Sequence, residues 1–135
     1  HLALIYFQNR DWDKALRSFR RCAEISPEEA EPPLNIGIIL AEKGDDAGAA
    51  VELARAKALA PDDPSVLAQL ALVLSRRGDY AGAVLEAGRA LEKDPDNATA
   101  LNALGASALK TRDLNKALEA GKKAKEQRMR RLKSE

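Results

Sequence analysis

A period of 34 residues constrains this chain more than any other feature: Pro27, Pro61 and Pro95 fall one period apart, and so do Asp11, Asp45, Asp79 and Asp113. Ala15, Ala49, Ala83 and Ala117 keep the same spacing. Small residues recur at Ala3, Gly37, Ala71 and Gly105 and again at Cys22, Ala56, Ala90 and Ala124, while Leu2, Ile36, Leu70 and Leu104 form an apolar series. Gly44 and Gly78 precede two of the aspartates, with Arg10 and Arg112 in the other two places. Chance does not align so many series, and a period of this length marks a supersecondary unit that buries its apolar face against its neighbours.

Each unit reads as two helices. In Leu67-Ala68-Gln69-Leu70-Ala71-Leu72-Val73-Leu74, good helix formers carry apolar residues at helical spacing. Gly78 can close that helix in the left-handed conformation, and the Asp79 carboxylate can accept from the free N–H groups that open the next. Pro95 ends the second helix, since proline restricts its predecessor and breaks the hydrogen-bond ladder. The same grammar predicts eight helices at about 1–9, 12–26, 31–43, 46–60, 64–77, 80–93, 98–111 and 114–132. Pro32 and Pro33 suit the first turn of the third. Gly48, Gly82, Gly88 and Gly121 fall inside helices at about 1 kcal/mol each, a cost that close helix approach can offset. The expected fold is all-α: an α-α superhelix (solenoid) of antiparallel helix pairs.

Aromatics are only 4% of the chain, so alanine and leucine must do the packing and helices should lie close together. The single cysteine, Cys22, excludes an internal disulfide and a CxxC metal site; it occupies a small repeat position expected to be buried. The one histidine, His1, leaves no cluster for zinc. The recurring aspartates are accounted for by turns and caps, and neither a phosphate-cradling GxxxxGK[ST] nor a GxGxxG is present, so neither catalysis nor a cofactor is expected. Charge is uneven: residues 122–135 hold seven basic and two acidic groups, while the preceding 121 residues carry a net −4.

The pattern resembles the tetratricopeptide repeat family over nearly the whole chain. Gly78-Asp79-Tyr80, Ala83, Ala90 and Pro95 match its motif, as do Arg10-Asp11-Trp12, Ala15, Phe19 and Pro27. The second repeat departs from it at Asp46, where an aromatic is usual, and the fourth at Leu114 and Met129. The resemblance implies about 3.5–4 repeats in one continuous domain: a partial repeat at 1–29, full repeats at 30–63 and 64–97, and a fourth at 98–131 whose long final helix merges into a basic tail at 122–135. The chain opens mid-pattern and reads as a fragment whose first helix lacks about five residues.

The resemblance further implies a concave groove, lined by the first helix of each repeat, that holds a partner's peptide or helix. Carried over by position, the groove takes Leu4, Phe7 and Gln8; then Glu31, Leu34, Ile38 and Glu42; then Ala68, Leu72 and Arg76, with Ser65; then Asn102, Ala106, Leu109 and Lys110, with Thr99. Its apolar centre suits an amphipathic helix or an extended apolar segment. The clamp with which some members hold the acidic C-terminus of chaperones needs paired cations, and Leu4, Asn35, Ser65 and Gln69 stand near those places; only Asn35 fits.

The expectation is therefore a protein–protein interaction scaffold, cytoplasmic, with a protein or peptide partner. Two other readings stand beside it. Leu2, Ile5 and Tyr6 form an apolar flank fit for self-association into a homo-oligomer. Alternatively the chain is the scaffold arm of a larger enzyme or assembly complex, its basic tail meeting an acidic partner, membrane or nucleic acid. The tail lacks interleaved aromatics for base stacking, which argues against nucleic acid; a solvated helix is the commoner meaning of such a run.

Overall fold

The computed structural model describes residues 2–134, except the side chains of Asp113, Leu114, Lys116, Ala117, Leu118 and Ser134. The described chain is all-α: α1 (Leu2–Gln8), α2 (Trp12–Ile25), α3 (Glu31–Glu42), α4 (Asp46–Leu59), α5 (Pro64–Arg76), α6 (Tyr80–Lys93) and α7 (Ala98–Ser134).

The turns between paired helices are built as the period predicts. Gly44 and Gly78 take φ of 86° and 88°, and Arg10 adopts the same left-handed conformation at 57°. One backbone bond recurs across all three turns, from Asp11, Asp45 and Asp79 N–H to the carbonyls of Tyr6, Leu40 and Leu74 at 2.8–2.9 Å. The Asp45 and Asp79 carboxylates then accept from the N–H groups of Gly48 and Gly82 at 2.9 and 3.0 Å. This accounts for two of the helical glycines differently from the sequence reading. A Cβ at Gly48 or Gly82 would collide with its capping carboxylate, not with a neighbouring helix. Asp11 makes no such cap bond and lies 3.6 Å from Lys14 instead.

The eighth helix expected at 114–132 is not a separate element, because α7 runs unbroken from Ala98 to Ser134. At the first turn Arg10 bears a left-handed cost of about 1–2 kcal/mol, and Phe7 packs edge-on against Trp12 across it, with centroids 5.5 Å apart. The equivalent residues at the fourth place are Leu109 and Leu114 flanking Arg112, so neither glycine nor an aromatic pair favours the turn. Thr111 Oγ1 donates to the Ser107 carbonyl at 2.9 Å, and the helix continues.

Three buried clusters hold the stack. Ala3, Ala15, Leu16, Phe19, Ile36 and Ile39 join α1, α2 and α3. Ala41, Ala49, Ala50, Leu53, Leu70 and Val73 join α3, α4 and α5. Leu67, Ala68, Ala71, Ala87, Ala90, Ala100 and Ala103 join α5, α6 and α7. Each cluster thus welds a helix pair to the first helix of the next, as a nearest-neighbour solenoid requires. Ion pairs tie successive repeats as well: Lys43 to Asp13 at 2.8 Å and Lys57 to Glu86 at 2.6 Å.

Candidate functional site

The first helices of successive repeats, α1, α3, α5 and α7, carry one side-chain row at equivalent positions: Leu4, Ile38, Leu72 and Ala106. Leu4 and Ala106 are exposed, and Ile38 and Leu72 half-buried. A core position would be covered; these four keep apolar surface in contact with solvent. Beside them runs a second equivalent row, Gln8, Glu42, Arg76 and Lys110, all exposed. Its charge changes along the stack from neutral through negative to positive.

A hollow lies at the end formed by α1 and α3. Phe7, Gln8, Arg10, Trp12, Ile38 and Glu42 surround its volume of about 320 Å³. Its shape follows from the aromatic cluster, in which Phe7 meets Trp12 and Phe19 edge-on at 5.5 and 6.4 Å. Phe19 is fully buried and fixes the other two rings.

Other residues singled out from sequence are placed as follows. Glu31 is exposed and Leu34 half-buried, packed on the core cluster of α3, α4 and α5. Ser65 is exposed, Thr99 half-buried, and Asn102 and Leu109 exposed. Ala68 must be corrected: at 1% exposure it belongs to the core between α5, α6 and α7, and its methyl cannot reach a ligand. In a solenoid this tight, a small side chain one position off the open face falls into the seam between helices. Cys22, expected to be buried, is half-buried. Leu2 and Ile5 are 59% and 50% exposed and Tyr6 half-buried. Residues 119–133 are exposed throughout, Met129 and Leu132 included, so these two do not fold back on the last pair.

Among the residues expected to line a groove, Arg76 has the most defined geometry. Its guanidinium donates to the Ala41 carbonyl at 3.2 Å and stands 3.1 Å from Asp46 Oδ1. This gives the irregular Asp46 a role that sequence reading missed. Where the family has an aromatic, Asp46 instead pairs with a cation from the following repeat. The signal was present as an acid at 46 and a base at 76, but nothing in the linear pattern brings them together.

Comparison with known proteins agrees with this architecture. Among curated protein sequences none matches the chain. In structure it resembles the first tetratricopeptide domain of Spaghetti (RPAP3) bound to the HSP90 peptide SRMEEVD, with TM-score 0.77, 19% identity, and coverage of 81% of this chain and 86% of that one. It also resembles the Yersinia enterocolitica type III secretion chaperone SycD in complex with a peptide of the translocator YopD, with TM-score 0.72, 18% identity, and coverage of 82% and 89%. A third likeness is to the Thermobaculum terrenum O-GlcNAc transferase, at TM-score 0.73 and 28% identity; 78% of this chain aligns with only 20% of that one. Two family models described as tetratricopeptide repeat match residues 6–73 and 69–130. The chain belongs to the tetratricopeptide repeat family.

Proposed function

We propose that the open face of α1, α3, α5 and α7 is a binding groove for a peptide or helix of another protein, and that the chain works as an interaction scaffold. The observation that carries this reading is the row Leu4, Ile38, Leu72 and Ala106, which keeps apolar surface accessible at one repeat phase on four successive helices. Apolar side chains at regular intervals, bordered by polar ones, are suited to an amphipathic helix or an extended segment with apolar anchors. The similar domains of RPAP3 and SycD were both captured with peptides, which supports a peptide or protein as the partner class. The ligand differs from an acidic C-terminal tail. Leu4, Asn35, Ser65 and Gln69 supply no paired cations to grip a terminal carboxylate, and Arg76 is already engaged by Asp46. Binding therefore rests on apolar contact, with Glu42 and Lys110 selecting opposite charges at the two ends of the ligand.

The test is the pair Ile38→Glu and Leu72→Glu, with circular dichroism to check the fold and partner retention as the readout. The expected result is a folded protein that loses its partners. Ala106→Glu, at an exposed site, serves where the double variant is destabilised. Full retention of every partner by a folded variant would overturn the groove.

A further inference from the structure

In α7 the face that elsewhere receives a covering helix is bare. On α5 the stripe Leu67 and Ala71 is 1% and 0% exposed beneath α6. On α3 the equivalent Pro33 and Gly37 are buried, and a methyl at Gly37 would stand 2.6 Å from Leu53 Cγ of α4. One repeat further, Leu101 is 50% exposed, while Gly105 and Ala108 are exposed and a methyl at Gly105 would meet nothing within 4 Å. The stripe continues along the unbroken helix at i+3/i+4 spacing as Arg112, Asn115, Glu119 and Lys123. This second half lines a hollow of about 710 Å³, whose remaining wall is Val84 of α6 with Ala108, Thr111 and Ala120 of α7.

We infer that this face is a second docking site, distinct from the groove, and that its occupant is an amphipathic helix of a partner protein, apolar with small residues along one half and acidic along the other. The helical shape of the occupant follows from the three earlier pairs, where the same stripe is covered by α2, α4 and α6. Its length follows from the stripe: Leu101 to Lys123 spans about 33 Å at 1.5 Å per residue. Its charge follows from Arg112 and Lys123, exposed cations on the polar half, and from the basic run that continues to Lys133; Glu119 already has Lys122 beside it at 3.9 Å. A second copy of α7 fits poorly. Packed antiparallel, it would set Leu101 and Gly105 against Glu119 and Lys123, apolar against charge. Packed parallel, it would set Arg112 and Lys123 against themselves.

The probe is a helix-stapled peptide with the α6 sequence, the natural cover of the equivalent stripe, extended by about eight glutamate-rich residues to match the length of the stripe, titrated against the full chain by fluorescence anisotropy. Saturable binding is expected, weakened about tenfold or more by Gly105→Glu, whose side chain enters open space. Joint reversal of Arg112→Glu and Lys123→Glu should weaken it similarly and restore it for a lysine-substituted peptide. Any of three results would overturn the inference. The first is no binding, or binding indifferent to Gly105→Glu. The second is a distance between spin labels at 105 and 121 short enough to show that the chain's own C-terminal stretch fills the site. The third is a dimer by sedimentation that Gly105→Glu abolishes and the peptide cannot compete away. Because Gly105 lies off the groove row, loss here with the groove intact separates this site from the one proposed above.

Discussion

Phe19, Leu53 and Ala87 occupy one repeat position and are all fully buried, yet their volumes fall steeply along the chain. Their counterparts on the facing helix, Ala3, Gly37 and Ala71, are small enough to admit them. Gly37 is the tightest fit, so Gly37→Ala should cost about 1–3 kcal/mol by overpacking against Leu53. Gly105→Ala, the same substitution two periods on, meets open space and should gain up to about 1 kcal/mol of helix propensity. Thermal or urea melts of the two variants read the contrast directly. Glu86 makes a similar point about charge. It is 5% exposed, 2.6 Å from Lys57 and 3.6 Å from Arg89. Lys57→Met should therefore destabilise by about 1–3 kcal/mol, with much of the loss recovered when Glu86→Leu is added, since a matched apolar pair replaces a buried charge left without its closest partner. At Asp13, the hydrogen bond from Lys43, and then its charge, hold the carboxyl below its ordinary value. Its folded-state pKa is depressed, so its contribution to stability is present above the ordinary carboxylate range and is lost as pH falls through the folded value. Lys43→Ala should move the Asp13 titration upward, as read by carbon-detected NMR.

At the scale of elements, α1 to α6 were legible because each boundary carries a local chemical signal. Glycine closes two first helices, aspartate opens the partner helix, and proline follows the second. Those signals act over a few residues and are visible in one dimension. The fourth turn was misread because the aspartate series persists at Asp113 while the determinants of the turn do not. Arg112 has the left-handed precedent of Arg10 but lacks the Phe7–Trp12 contact that spans the first turn. A period can therefore outlast the packing that gives it meaning. The unbroken α7 makes a measurable claim: residues 98–110 include those packed against α5 and α6, while 119–133 are exposed throughout. Amide exchange should be slow in the first stretch and orders of magnitude faster in the second, because an unpacked helix opens locally without unfolding the rest. Equal protection across both would contradict the extended form.

For the whole molecule, the surface proposed as a groove was legible in outline only. The family resemblance implied Leu4, Ile38, Leu72 and Ala106 as lining residues, and in the structure they are exposed or half-buried. Ala68 fell instead into the core, and the Arg76–Asp46 pair appeared only in three dimensions, because both depend on how adjacent repeats nest. Besides the α7 face, two further exposed apolar surfaces are placed at equivalent repeat positions. One is the groove row on first helices. The other is the pair Val51 and Leu85, one period apart on α4 and α6 and 62% and 54% exposed. The most direct measurement is site-specific photo-cross-linking, with a photoreactive residue placed at 38, 72 or 106 and, separately, at 51 or 85, followed by mass spectrometry of the captured partner. The groove account expects one partner, joined through the same short segment from positions 38, 72 and 106 and absent from 51 and 85. Capture of that partner from 51 and 85 alone would contradict it.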